Sequence, residues 1–307
     1  MDIDLVKMLA KVKASQWALA DIDWEAPGAE LITDEQWPKL KAFMSDLMWI
    51  EHVGARGFAA MARKAEDPVL KEMYTYFHAE EQRHANAEMA LMRRWGMLEE
   101  DEIPLPNINL RLVIDWLDTQ SDRMPLEVLG SVIPMLEVAL DGALCTFLLE
   151  QVDDPVCHDA FKRINDDESR HLGVGFHVLE MQGHGKAYRL GLNFLGTVLN
   201  PRLIVGIATY LPLLSRMRDN VAAMGLPEEK LYKAMKKYER IGGRTEDGRR
   251  NPWFQLISRH GRLVVDRGNK LYHVPVDAMV RLTDFYPRAL LRPVPSWVKE
   301  LTYKTAA

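Results

Sequence analysis

The chain has 307 residues, of which 48% are hydrophobic and 27% are charged, and its formal net charge is −5. This length allows one large domain or two modest ones, and the composition is that of an ordinary globular protein. The net negative charge excludes the protein-wide positive field that is typical of nucleic-acid-binding proteins, so we expect no nucleic-acid partner.

Three features bear on the cellular compartment. The cysteines are Cys145 and Cys157, which are too few for a disulfide framework. The first residues lack the basic start and apolar core of a signal peptide, and no segment reaches the ~20 apolar residues that span a bilayer. We therefore expect a cytoplasmic protein.

In chain order, residues 1–35 predict an N-terminal arm that packs across the rest of the molecule and carries Trp17. Between residues 36 and 182, apolar residues recur at helical spacing in four segments, which predicts a four-helix bundle. Asp67-Pro68 and Asp154-Pro155 suit the start of the second and fourth helices. An aspartate can cap the first turn, and a proline at the first helical position loses no helical hydrogen bond.

The second and fourth segments repeat one motif. In each, a glutamate lies thirteen residues after the proline, a histidine follows three residues later, and another glutamate precedes the motif by thirty or thirty-one residues. The copies read Glu80-Glu81-Gln82-Arg83-His84 and Asp167-Glu168-Ser169-Arg170-His171. Because each Asp-Pro pair lies near the midpoint of its half, a helical hairpin folded there brings the upstream glutamate level with the motif.

These acidic residues and histidines interrupt apolar stripes, so they are predicted to be buried. Four carboxylates buried together without cations would be very unfavourable, and metal ions remove that cost. Carboxylates bridge metals and imidazole suits iron and manganese. One Glu from each of two helices, with Glu-x-x-His from each of the other two, forms a di-iron or di-manganese site. The predicted ligands are Glu51, Glu81, His84, Glu137, Glu168 and His171.

The acidic residue before each motif is a candidate partner of a ligand histidine. Glu80 is predicted to accept the outward N–H of His171, and Asp167 that of His84, each from the opposite half of the chain. The alternative for both is an ordinary acid on a helix surface.

The doubled [D/E]-E-x-R-H, with a glutamate about thirty residues before each copy, resembles the ferritin-like di-iron carboxylate oxygenases and oxidases. Acyl-carrier-protein desaturases and the hydroxylase subunits of bacterial multicomponent monooxygenases carry this form. The resemblance covers roughly residues 40–182 and matches all six ligand positions. It implies an all-α, ferritin-like bundle that holds two iron ions, as Fe/Fe or Mn/Fe, and uses O2 as co-substrate.

Three positions depart from related groups. Glu88 stands where ribonucleotide reductase small subunits carry a radical tyrosine, which argues against a radical generator. Ile164 replaces the seventh ligand, a histidine, of arylamine N-oxygenases, and Asp141 replaces a threonine that hydroxylases usually keep. Glu88 and Asp141 are the candidate catalytic residues. Each is an extra ligand, a proton carrier or the partner of a buried arginine.

The favoured function is an O2-dependent non-haem di-iron oxygenase or oxidase that hydroxylates, desaturates or N-oxidises a mostly apolar small molecule or lipid, free or bound to a carrier. The sequence shows neither a dinucleotide fingerprint nor a four-cysteine cluster, so a ferredoxin or a reductase must supply electrons. The alternatives are a ferritin-like iron-handling protein without an organic substrate, and a metal-stabilised bundle without turnover.

Residues 183–307 predict a C-terminal helical extension packed on the bundle. Helices are expected at about 187–199, 202–218 and 227–240, and residues 262–266 and 270–273 predict a small β-hairpin around Arg267-Gly268-Asn269. The first two helices are strongly apolar. They cover the bundle or form a homodimer interface, and lining a substrate channel or contacting a membrane is the functional alternative. The basic run between residues 230 and 250 is either a solvated helix face or a dock for an acidic partner or an anionic membrane.

Overall fold

The computed structural model describes residues 4–124, 148–181, 201–223 and 228–293, and also residues 126, 129, 130, 133, 134 and 225. Across these residues the chain forms helices and connecting loops without a β-strand, so the predicted all-α class is confirmed. None of the described helices is long and apolar enough to cross a membrane. The helices are α1 (Leu5–Ala14), α2 (Gln36–Lys64), α3 (Pro68–Arg94), α4 (Ile108–Gln120), α5 (Pro155–Met181), α6 (Pro201–Ala223), α7 (Glu228–Gly242), α8 (Glu246–Arg250), α9 (Pro252–Val265) and α10 (Lys270–Asp284).

The two Asp-Pro turns start helices as predicted. The Asp67 side chain accepts hydrogen bonds from the N–H groups of Val69 and Leu70, and Pro68 is the first residue of α3. Asp154 accepts the N–H of Val156 at 2.9 Å, and α5 begins at Pro155. The turn at Asp67 folds α2 and α3 into an extensively packed helical hairpin. Proline at the first position and aspartate before it therefore act as the sequence indicated.

Buried apolar side chains form two clusters around the bundle. The larger one is contributed mainly by α2, α3, α4, α5 and the C-terminal helices. The smaller one is contributed by α1, α2, α3 and α5 and contains Phe58, Tyr74 and Phe77. Because α2, α3 and α5 each contribute to both clusters, they are held along most of their length.

The N-terminal arm contacts the bundle at several places along its length. Its helix α1 contacts α3 and α5. Further along, the Arg94 guanidinium donates to the carbonyl oxygens of Trp24 and Ala26 and also pairs with Asp154. Asp154 is fully buried and accepts the indole N–H of Trp95 at 2.8 Å as well. One buried ion pair thus joins the arm, the end of α3 and the start of α5.

The C-terminal region corrects one prediction. Residues 262–266 lie in or directly after α9 and residues 270–273 lie in α10, so the predicted β-hairpin is wrong. Asn269 begins a helix instead of forming a hairpin turn, because its side chain accepts the N–H of Tyr272. The predicted helices near 202–218 and 227–240 are confirmed as α6 and α7, while 187–199 falls outside the described residues. The division at residues 35 and 182 stays a prediction.

Candidate metal centre

Five of the six predicted ligands lie on three neighbouring helices. Glu51 is on α2, Glu81 and His84 are on α3, and Glu168 and His171 are on α5. All five are buried, with at most 3% of each residue's surface exposed. The sixth predicted ligand, Glu137, and the candidate catalytic residue Asp141 fall outside the described residues.

The five side chains meet at one place. Glu51, Glu81, His84 and Glu168 each offer one ligand atom, and these atoms lie within 4.8 Å of one another. The Nδ1 atom of His84 lies 2.9 Å from Oε1 of Glu168, and Nδ1 of His171 lies 3.0 Å from Oε1 of Glu81. Both imidazoles therefore turn the same nitrogen toward the shared carboxylates. This buried cluster of glutamates and histidines can hold a metal ion.

The other nitrogen of each imidazole contacts an acid from the opposite half of the repeat. His84 Nε2 lies 3.0 Å from Oδ2 of Asp167, and His171 Nε2 lies 2.8 Å from Oε2 of Glu80. These are the two pairings that the sequence predicted, although their role beside a metal stays a prediction. A carboxylate that accepts the Nε2 proton leaves the Nδ1 lone pair directed at the cluster, as a metal ligand requires.

Two arginines pair with Asp167 and Glu80, which we call the outer carboxylates. The sequence did not predict these ion pairs. Arg83 lies 3.2 Å from Asp167, and Arg170 is paired with both Asp167 and Glu80. A signal was present, because each arginine occupies the same position in its copy of the repeat. Around the two histidines, the two outer carboxylates and the two guanidinium groups therefore form an outer layer in which the charges balance.

The N-terminal arm completes the outer layer. The Trp17 indole donates to Oδ2 of Asp167 at 2.8 Å, and Gln16 donates to Glu80 while accepting from Arg83. The sequence indicated that the arm packs on the bundle, but no periodicity or motif showed that these two side chains reach the ligand partners. The arm is therefore part of the site as well as a cover for it.

A glycine makes room for one of the carboxylates. Gly54 lies one turn after Glu51 on α2, and a Cβ atom placed on it would lie 2.1 Å from Oε2 of Glu81. Any other residue at this position would therefore displace the Glu81 carboxylate. This cradle, three residues after a predicted ligand, fits a site that needs Glu81 close to Glu51.

The buried charges also fit a cation. Six buried acids gather at the site with two arginines among them, which leaves four carboxylates without a permanent positive partner. The acids are Glu51, Glu80, Glu81, Glu88, Asp167 and Glu168. Burial, followed by the charges of Glu168 and Glu51, raises the pKa of Glu81 well above its ordinary value. In the absence of metal the site must hold protons, so metal binding and proton release are linked.

Asp167 and Glu88 have opposite environments. Burial alone would raise the pKa of Asp167, but the hydrogen bond and charge of His84 and the nearby arginines hold it well below its ordinary value. For Glu88, burial and then the charge of Glu51 raise the pKa well above its ordinary value. Neither carboxylate oxygen of Glu88 has a hydrogen-bond partner among the described residues. Asp167 is therefore a fixed anion, and Glu88 is a buried acid beside the cluster.

Aromatic rings line two sides of the histidine pair. Phe77 and Phe58 pack against His171, with ring centroids 4.2 and 5.0 Å away, and Trp17 stacks near His84 at 6.4 Å. On the Trp17 side, a surface cleft of about 510 Å³ lies between α1 and α5, and Asp167 and Arg170 are among its lining residues. The site is therefore lined by apolar rings on the phenylalanine side, and on the arm side Asp167 separates it from the surface cleft.

The chain matches no protein-family model, no curated protein and no solved structure. Its function must therefore be inferred from the chemistry of these residues.

Proposed function

We propose that this protein is an O2-dependent non-haem di-iron oxygenase or oxidase with a ferritin-like bundle, acting on a mostly apolar small molecule or lipid. The observation that carries the proposal is the doubled arrangement of the histidines. One imidazole from each half turns Nδ1 toward a shared group of buried carboxylates, and both Nε2 atoms are held from outside. A single ion would not need two such sets.

The distances suggest which donors would share each ion. His84 lies close to Glu51 and Glu168, and His171 lies close to Glu81 and Glu168. Glu168 has one oxygen near each histidine, with Oε1 2.9 Å from His84 and Oε2 3.2 Å from His171. Glu168 would therefore be available to both halves of the site and would help to hold either ion. A mixed Mn/Fe pair would fit the same donors.

Glu51, Glu81, His84, Glu168 and His171 would hold the two iron ions, which in the reduced state would supply electrons and Lewis-acid chemistry for the activation of O2. The protein residues do the rest. Asp167 and Glu80 hold a proton on each Nε2 and fix the orientation of both rings. Phe58 and Phe77 exclude water from one side of the site, which protects an oxidising centre and suits an apolar substrate. A ferredoxin or a reductase would deliver the electrons.

Metal content is the first test. We expect about two iron or manganese ions per chain in reconstituted protein, in line with two-metal sites of this kind. Glu168→Ala should lose most of the metal, because it removes a buried carboxylate that lies close to both histidines. Glu72→Ala, which removes a surface acid of α3 paired with Lys13, should keep it. Fewer than one ion per chain in the wild-type protein would overturn the proposal.

Reaction with oxygen separates the enzyme from its alternatives. The chemically reduced protein should consume O2 in an amount that matches its bound iron, and an apolar substrate analogue should change the rate. Continued oxidation of added iron, ending in a mineral core within a hollow multimer, would instead identify an iron-handling protein. Bound metal without any O2 uptake would leave a metal-stabilised bundle.

A further inference from the structure

Helix α10 carries a continuous apolar surface that faces away from the protein. Leu271 is 93% exposed and Phe285, directly after the helix, is 84% exposed. Leu282 and Val274 are 69% and 66% exposed, and Pro275 and Ala278 between them are also exposed. At 3.6 residues per turn these six side chains fall within an arc of about 100°. We refer to them as the α10 stripe.

The opposite face of α10 explains why the stripe points outward. His273 and Val276 are buried against the protein, and α10 packs on α6 and α4. The His273 ring contacts Arg218 and the carbonyl oxygen of Asp266. The helix is therefore held by one face, and a rotation that hid the stripe would expose these buried contacts to water.

Basic residues outnumber acidic residues near the stripe. Residues 262–293 contain six basic and three acidic residues in a chain whose net charge is −5, and of the six, Arg262 pairs with Glu239 and Arg267 lies 3.9 Å from Asp219. Lys270, Arg281 and Arg288 are exposed and form no ion pair with any residue that the structure describes. One of the three acids, Asp284, is already paired with Arg216.

The basic run that the sequence singled out differs in this respect. Lys233 pairs with Glu229, Lys236 lies 3.9 Å from Glu239, and Arg250 pairs with Glu246, each within its own helix. Much of that charge is therefore balanced locally, as expected of a solvated helix face. At α10, three exposed cations without an ion-pair partner among the described residues coincide with exposed apolar area.

We propose that the α10 stripe docks on the surface of a bilayer that contains anionic lipids. A helix with a ~100°-wide apolar face and basic flanks can lie in the interface, with its apolar side chains among the acyl chains and its cations at the head groups. A second copy of the chain is a poorer occupant, since a symmetric pair would bring two positively charged faces together. The contact would be peripheral, and it stands independently of the metal site.

Vesicle co-sedimentation with the full-length, metal-loaded protein tests this inference. Vesicles of phosphatidylcholine are compared with vesicles of equal amounts of phosphatidylcholine and phosphatidylglycerol. We expect binding to the anionic vesicles that weakens as salt is raised. The double variant Leu282→Asp/Phe285→Asp should bind at least tenfold more weakly. Arg281→Glu/Arg288→Glu should lose about as much, because each basic residue near an anionic surface strengthens binding by roughly fivefold.

Val6→Asp is the matched control, since Val6 is 65% exposed on α1 and should leave binding unchanged. All replaced side chains are exposed, so the variants should unfold at the wild-type temperature. Equal binding to neutral vesicles, no binding, or undiminished binding by both double variants would overturn the proposal. A dimer that these variants dissociate would also overturn it, because the stripe would then be an interface between copies. Metal content and O2 uptake are measured separately, so failure here leaves the proposed function intact.

Discussion

Replacing Gly54 with alanine separates metal binding from fold stability. The new Cβ would lie 2.1 Å from Oε2 and 2.7 Å from Cδ of Glu81, so the carboxylate would have to move by about 1.3 Å to reach ordinary contact at 3.4 Å. Metal sites tolerate only about 0.2 Å of error in ligand distance. The displaced atoms are the end of a flexible side chain, and alanine favours a helix over glycine by roughly 0.8–1.0 kcal/mol. The metal-free variant should therefore be as stable as the wild-type protein or slightly more stable.

Metal-linked stability shows the other half of the effect. Free metal at about 100 times its dissociation constant stabilises a protein by about 2.7 kcal/mol. If displacing Glu81 weakens metal binding by about 100-fold, the same metal concentration adds only about 0.4 kcal/mol. The measurement is urea unfolding with and without Mn²⁺, which avoids oxidation during the experiment.

Gly57→Ala is the matched control for this experiment. It lies one turn further along α2, and its Cβ would meet Cδ1 of Ile133 at 2.4 Å rather than a predicted ligand. This variant should keep the full stabilisation by Mn²⁺, whatever its own stability. If Gly54→Ala also keeps the stabilisation by Mn²⁺, or if both variants lose it, the reasoning is refuted. The space at Gly54 would then not be what allows Glu81 to act as a metal ligand.

Three further changes test the surroundings of the site. Trp17→Phe removes a hydrogen bond to the outer carboxylate of α5 and should speed metal loss to a chelator by roughly tenfold. The control is Trp37→Phe, because the indole of Trp37 donates to the carbonyl oxygen of Trp95, and this variant should lose metal at the wild-type rate. Equal rates of metal loss for the two variants would exclude a role for the arm. Asp154→Asn breaks the buried ion pair with Arg94 and should lower the free energy of unfolding by about 3 kcal/mol. Asp67→Asn changes the equivalent turn, which is exposed, and should lower the free energy of unfolding by less than about 1 kcal/mol. Similar losses would contradict the difference in burial. Burial lowers the pKa of His52 to about 3 in the folded protein. As the pH falls, His52 therefore takes up a proton in the unfolded chain before it does so in the folded protein, which favours unfolding. We expect the free energy of unfolding to fall by about 2 kcal/mol between pH 6.5 and pH 5. His52→Gln should flatten this dependence in metal-free urea titrations, and an unchanged slope would refute it.

The repeat made much of the site predictable. Residues three apart on a helix share a face, so the positions of Glu81 and His84, and of Glu168 and His171, followed from spacing alone. The crossing of Asp167 to His84 was also predictable, because the repeat relates the two halves by symmetry. The pairing of Asp167 with Arg83 and Arg170 did not follow from the sequence, since a charged residue next to a buried one on a helix usually faces water.

Other parts had no periodic signal. Gln16 and Trp17 lie after the end of α1, where side-chain direction is set by packing and not by a helix or strand period. The error at residues 262–273 arose because Val264 and Val265 favour strands in short windows, and because Gly268-Asn269 can serve either a hairpin turn or a helix start. The exposure of the α10 stripe could not be predicted either, because the sequence does not distinguish exposed leucines and valines from those of the core.

The contact between Trp17 and Asp167 has a consequence for the order of folding. It joins residues separated by 150 positions, and His84 meets Asp167 across 83 positions. Closing such long loops costs more chain entropy than closing a local turn, so the α2–α3 hairpin should form earlier. A folding chain would first present only the donors of that hairpin and bind metal weakly. The arm precedes the bundle in the chain but would dock after it, so its docking would be the step that closes the site over any bound metal.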